Sequence, residues 1–131
     1  KLVQVTKECF FKGLEQAVVG NHISDIGRAI QQHAESHGYG VVRELVGHGI
    51  GMNMHEAPEV PNYVIPHFGR GARLVPGMAI AIEPMINLGT RRIHVLDDGW
   101  TCVTADGKPS AHYENTIFIS ENGPEVLTNP E

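Results

Sequence analysis

A glycine-rich stretch, GHGIGMNMHEAP at residues 47–58, stands at the centre of the strand-forming part of the sequence. His48 lies between two of its glycines, which let the backbone approach a bound ion or ligand closely. A second histidine, His55, follows in the same stretch and precedes Glu56. Because Pro58 prevents a helix from continuing there, the stretch does not form the H-E-x-x-H helix that binds zinc in some proteins.

The residues around this stretch predict an α+β fold. Helical periodicity covers residues 2–19, with Val3 and Phe10 on the apolar face, and resumes at Ser24, a good N-cap residue. Strands are predicted at residues 39–46, 78–83, 93–96, 100–104 and 111–120. A glycine-rich turn is predicted after residue 46, and residues 56–77 are predicted to be a loop with at most short extended pieces. The sequence therefore predicts two helices packed on one face of a mostly antiparallel sheet.

Composition excludes several kinds of protein. The 131 residues are 41% hydrophobic and 19% charged, which predicts one folded domain rather than a disordered chain. The net charge of −5, without a basic stripe, argues against nucleic acid or an anionic membrane as a partner. Apolar runs are too short to span a bilayer. Cys9 and Cys102 lie far apart, so we expect free thiols and a cytoplasmic location.

Three residues are candidate metal ligands: His48, Glu83 and Glu114. Each lies in an apolar or glycine-rich run, and a carboxylate between Ile82 and Met85 is costly to desolvate unless it is paired or bound to a cation. One imidazole and two carboxylates suit Mn, Fe(II), Co or Zn. A carboxylate that bridged two such ions would help to activate a water molecule, and His55 could hydrogen-bond to the scissile carbonyl.

Other interpretations of these residues stay open at this point. A lone buried histidine is more often a structural hydrogen-bonding group than a ligand. Glu83 and Glu114 could be exposed charges at strand ends, or members of salt bridges. We assign no site role to His33 and His37, on or beside the second helix. His112 is too close to Glu114 in sequence to dismiss, but we do not expect it to contact the site.

Seven segments together resemble the bacterial-type (type I) methionine aminopeptidases, in the order typical of that family. They are VVRE at 41–44, GHGIG at 47–51, HEAPEVPNY at 55–63, PGM at 76–78, IEPM at 82–85, DGWT at 98–101 and YENT at 113–116. The likeness runs from about Gln4 to Thr128. It implies half of a pita-bread fold, in which two similar halves enclose a dinuclear metal centre.

The resemblance also implies roles for individual residues. His48 and Glu83 correspond to ligands of one metal ion, and Glu114 to the carboxylate that bridges both ions. Glu83 and His55 are the implied catalytic residues, with His55 also contacting the substrate. Trp100 and Met54 are also implied substrate-binding residues, in the pocket for the methionine side chain. The implied cofactors are two divalent ions per complete site (Co, Mn, Fe or Zn), and the implied reaction removes N-terminal methionine from nascent proteins and peptides.

The family takes two aspartate ligands and another histidine from an N-terminal half that has no counterpart here. We therefore expect residues 1–131 to be the C-terminal half of the catalytic domain, inactive alone, with weak or absent metal at the second position. The exposed half-domain face predicts self-association. A strictly monomeric chain in sedimentation at high concentration would contradict that expectation.

Two other functions compete with methionine removal. Prolidases and X-prolyl aminopeptidases share the His, Glu, Glu scheme, but they usually carry Glu-Pro-Gly where this chain has Glu83-Pro84-Met85. The pita-bread fold also occurs in non-catalytic binding modules, which have typically lost ligands. Here every ligand expected from a C-terminal half is present, which favours an enzyme.

Overall fold

The computed structural model describes residues 1–50, 56–67, 69–99 and 102–128. Two helices come first, α1 (Leu2–Glu15) and α2 (Ile23–Ser36). The strands are β1 (Gly40–Val41), β2 (Gly47–Ile50), β3 (Glu56–Val60), β4 (Ala79–Ile82), β5 (Met85–Asn87), β6 (Ile93–Val95), β7 (Cys102–Thr104), β8 (Ser110–His112), β9 (Asn115–Ser120) and β10 (Gly123–Val126). The predicted α+β class is confirmed.

The strands form three antiparallel sheets within the described ranges. The largest has five strands in the order β10-β9-β4-β2-β3, so β4 lies at its centre. A second sheet has the order β1-β5-β8, and β6 pairs with β7. The helices pack on each other and on strands of the first two sheets, which encloses the apolar core between them.

The α1 helix buries Phe10, as predicted, but not Val3. Val5, Cys9 and Phe10 are buried, whereas Val3 is 74% exposed, so its assignment to the core face is wrong. The helix also ends at Glu15 rather than at residue 19. The Asn21 side-chain amide donates a 2.9 Å hydrogen bond to the Gln16 carbonyl, which satisfies one of the acceptors left open at the helix end.

The α2 helix begins at Ile23, so the predicted N-cap at Ser24 is also wrong. His22 occupies the N-cap position, and its backbone N–H donates a 2.8 Å hydrogen bond to the Asp25 carboxylate. That hydrogen bond, followed by the one from the Arg28 side chain, holds the pKa of Asp25 below its usual value. Asp25 lies in the first turn of α2, where the helix dipole favours a negative charge.

The α2 helix packs directly on the segment that leads out of β3. At Gly27 an added Cβ atom would lie 2.6 Å from the Tyr63 carbonyl oxygen and 2.8 Å from that of Pro61. Only glycine permits this approach. The contact fixes residues 61–63, including Asn62, beneath the end of β4.

Residues 47–50, the start of the glycine-rich stretch, form a strand and not the predicted turn. The predicted strand at residues 39–46 is reduced to β1, and β2 begins at Gly47 between β3 and β4. An added Cβ atom at Gly47 would overlap the Ala81 carbonyl oxygen and lie 3.2 Å from Val60 Cβ. Glycine is present here because neighbouring strands leave no room for a side chain, rather than because the chain turns.

Candidate metal centre

Strand register brings His48 towards Glu83. His48 lies directly opposite Ala81 in the antiparallel pair of β2 and β4. Glu83 follows β4 immediately and is two residues beyond Ala81, so alternation directs its side chain to the face that carries His48. The two side chains meet, with His48 Nε2 lying 2.8 Å from Glu83 Oε2.

The pairing of β4 with β9 brings Glu114 to the same place. Ile82 is opposite Asn115, and one step further along this register places Glu83 opposite Glu114, just beyond the ends of both strands. One nitrogen or oxygen from each of His48, Glu83 and Glu114 lies within 4.8 Å of the other two. The structure therefore brings together the three residues predicted as metal ligands.

The environment of His48 suits a metal ligand. Its Nδ1 lies 3.2 Å from the Gly49 carbonyl oxygen, which can only accept a hydrogen bond. When the neutral ring carries its proton on Nδ1, the lone pair on Nε2 faces the carboxylates and is available to a metal ion. The side chains of His48 and Glu83 are 13% and 18% exposed, so water screens their charges only partly.

The donor set fits a divalent cation. Two carboxylates at one strand end repel each other unless positive charge lies between them. Glu114 is exposed, as its alternative interpretation predicted, yet its carboxylate still reaches the cluster. An imidazole with two carboxylates matches borderline ions such as Zn, Co, Fe or Mn.

Two further residues lie beside this cluster, His112 and Asn62. His112, at the end of β8, places Nε2 3.8 Å from Glu83 Oε1, and its side chain is 44% exposed. Asn62 is fully buried, and its side-chain amide donates a 3.1 Å hydrogen bond to the Glu83 carbonyl oxygen. The position of His112 two residues before Glu114 was an available signal, and Asn62 lies in the HEAPEVPNY segment, where the sequence pattern predicted no role of its own for it.

Three predicted substrate or catalytic residues lie outside the described residues: Met54, His55 and Trp100. Their roles stay predictions. Among the residues that the structure does describe, no helix is both long enough and apolar enough to cross a bilayer.

The class of protein follows from the family comparison. Residues 1–121 match the model of Metallopeptidase family M24, and the chain belongs to that family. Metallopeptidases depend on divalent metal ions, which agrees with the donor set at His48, Glu83 and Glu114.

Within this family the chain is similar to methionine aminopeptidases. It is 59% identical over 128 residues to the methionine aminopeptidase of Clostridium perfringens, and this match covers 98% of the chain and 51% of that protein. Its identity to methionine aminopeptidase 1 of Bacillus subtilis is 50%, with the same coverage. The chain thus spans about half the length of the curated relatives it matches.

Solved structures show the same relationship. The crystal structure of methionine aminopeptidase from Rickettsia prowazekii matches with a TM-score of 0.92 and 43% identity, over 98% of this chain and 51% of that one. A prolidase from Pyrococcus furiosus matches with a TM-score of 0.73 at 24% identity, over 99% of this chain and 32% of that one, and shows the fold alone. The expected half of a pita-bread fold is confirmed.

Proposed function

We propose that this chain forms part of an enzyme that removes N-terminal methionine from nascent proteins and peptides. The observation that carries the proposal is the convergence of His48, Glu83 and Glu114, each contributing a ligand atom within 4.8 Å of the others. Relatives named methionine aminopeptidase, at 50% and 59% identity, favour the removal of methionine over the cleavage of a prolyl peptide.

His48 and Glu83 would hold one divalent ion, and Glu114 would bridge it to a second. The bound ions would supply a water molecule of lowered pKa and polarise the scissile carbonyl. Glu83, whose Oε2 lies 2.8 Å from His48 Nε2, would accept the proton of the attacking water and pass it to the leaving amine. Asn62 holds the Glu83 backbone in place from below.

His55 would donate a hydrogen bond to the oxygen on which negative charge develops. Met54 and Trp100 would contact the methionine side chain. These three roles rest on the sequence motifs alone.

We further propose that residues 1–131 are the C-terminal half of the catalytic domain. The cluster of His48, Glu83 and Glu114 contains no aspartate, and only Glu114 would be available to a second ion. One protein ligand holds a divalent ion poorly, and in this proposal the further carboxylates come from outside residues 1–131. The isolated chain should therefore be inactive.

A chimera tests this proposal. The chain is fused to the portion of the Clostridium perfringens relative that it does not cover, and methionine release from a Met-Ala-Ser peptide is measured with Mn²⁺ or Co²⁺. We expect turnover by the chimera, none by the chain alone, and none by the His48→Ala chimera.

A prolyl dipeptide serves as the competing substrate in the same assay. Preference for that dipeptide would favour a prolidase-like enzyme. Binding of the Met peptide without hydrolysis by the chimera would favour a binding module. Turnover by the isolated chain that His48→Ala abolishes would contradict the need for outside ligands.

A further inference from the structure

We propose a second metal site, for a zinc-like divalent ion, formed by Glu8, His33 and His37 on the surface where α1 meets α2. These three residues, called here the helix cluster, are separate from the candidate metal centre at the end of β4. One nitrogen or oxygen from each lies within 4.8 Å of the other two.

Helix geometry brings the helix cluster together. His33 is in α2 and His37 is its C-cap residue, four positions on, so the two rings share one face and their centroids are 5.0 Å apart. Glu8 reaches across from α1, and its Oε1 lies 2.8 Å from His33 Nε2. Tetrahedral zinc with nitrogen and oxygen ligands separates its donor atoms by about 3.3 Å. Small side-chain rotations would bring all three donors to that spacing.

Neighbouring side chains orient the donors. The Gln4 amide donates a 3.1 Å hydrogen bond to Glu8 Oε2, which leaves Oε1 directed at the histidines. The His37 ring stacks on Tyr39, with centroids 5.9 Å apart. Partners of this kind fix the orientation of metal ligands and raise affinity.

The Glu8 side chain is ionised at neutral pH. Hydrogen bonds from Gln4 and then from His33 hold the pKa of Glu8 below its usual value, and the charges on His33 and His37 act in the same direction. The Glu8 side chain is 39% exposed and that of His33 is 19% exposed, so an ion and its water ligand can reach the site.

The ligand types select the ion. Two imidazoles and one carboxylate suit zinc and its neighbours in the transition series, whereas Mg²⁺ and Ca²⁺ prefer oxygen ligands. Cys9 is adjacent in sequence but is not a ligand, because it is buried with its Sγ 3.7 Å from the Ile30 carbonyl oxygen. Burial raises the pKa of that thiol to about 12.

A bound ion would cross-link α1 to α2. An ordinary Glu8–His33 ion pair would need only two of the three residues, and His37 would then be dispensable. Dependence on His37 therefore separates a metal site from a salt bridge.

Zinc titration of the metal-stripped chain tests the site, with His48→Ala as the background so that the β4 site is disabled. Calorimetry should show one Zn²⁺ bound, and thermal unfolding followed by circular dichroism should shift upward with Zn²⁺. Adding His37→Ala should weaken binding by about tenfold or more and remove the thermal shift. Adding His94→Ala, which removes an exposed histidine from β6, should change neither.

Absence of Zn²⁺ binding in the background chain would overturn the proposal, as would binding that His37→Ala leaves unchanged. The Glu8→Gln variant provides a second check, because it keeps the side-chain shape and loses the charge. Co²⁺ in place of Zn²⁺ should give the visible absorption of a four-coordinate ion in the background chain, and this absorption should disappear in Glu8→Gln.

Discussion

Glu83→Gln in the chimera is expected to lower methionine release by a factor of about 10²–10⁴ and to weaken metal binding at the β4 site. Glutamine keeps the shape of the side chain but cannot ligate as an anion or accept the proton of the attacking water. The change acts on a carboxylate whose Oε2 lies 2.8 Å from His48 Nε2. Turnover with Met-Ala-Ser and Mn²⁺ affinity by calorimetry measure the two effects.

Glu125→Gln is the matched control, since Glu125 is an exposed glutamate on β10 of the same sheet. It should leave turnover and Mn²⁺ affinity unchanged. If Glu83→Gln kept both properties within twofold of the parent chimera, Glu83 would be neither ligand nor proton acceptor, and the proposed mechanism would fail.

Gly47→Ala is expected to lower the free energy of unfolding of the chain by about 4 kcal/mol or more. The new Cβ atom would overlap the Ala81 carbonyl oxygen, so β2 would have to move away from β4. Displacing β2 also moves His48, which is the next residue. Denaturant unfolding measures the stability loss, and Mn²⁺ titration measures the loss of the site.

Gly77→Ala is the matched control, because it changes the backbone conformation available to the residue without causing steric overlap. Gly77 has a φ of +96°, but no atom lies within 4 Å of an added Cβ there. Gly77→Ala should lower the free energy of unfolding only by the cost of placing alanine in the left-handed region, about 1–2 kcal/mol. A loss at Gly47 no larger than the loss at Gly77 would show that β2 and β4 can separate without difficulty.

The helices and three metal-ligand candidates could be predicted from the sequence because their signals are local. Hydrophobic periodicity marked both helices. His48, Glu83 and Glu114 each lie in a short apolar or glycine-rich run, where an unpaired charge or a lone histidine is unusual. The structure adds the register that brings the three together.

The errors came from features that depend on tertiary contacts. Glycines 47 and 49 suggested a turn, but Gly47 is required by the closeness of β4. Val3 fits a helical apolar stripe, yet it is 74% exposed, because no element among the described residues covers it. These features become visible only once the neighbouring elements are placed.

The helix cluster and Asn62 were missed for the same reason. His33 and His37 looked like ordinary helix histidines, because Glu8, their partner, lies 25 residues before His33 on another helix. Asn62 acts on Glu83 across 21 residues. A single sequence does not reveal such pairs.

The most direct test of the central claim is the anomalous-scattering map of a crystal of the chimera grown with Co²⁺. The account predicts a cobalt peak within about 2.3 Å of His48 Nε2 and of a carboxylate oxygen of both Glu83 and Glu114. Cobalt bound elsewhere in the crystal, with no peak among these three side chains, would contradict it.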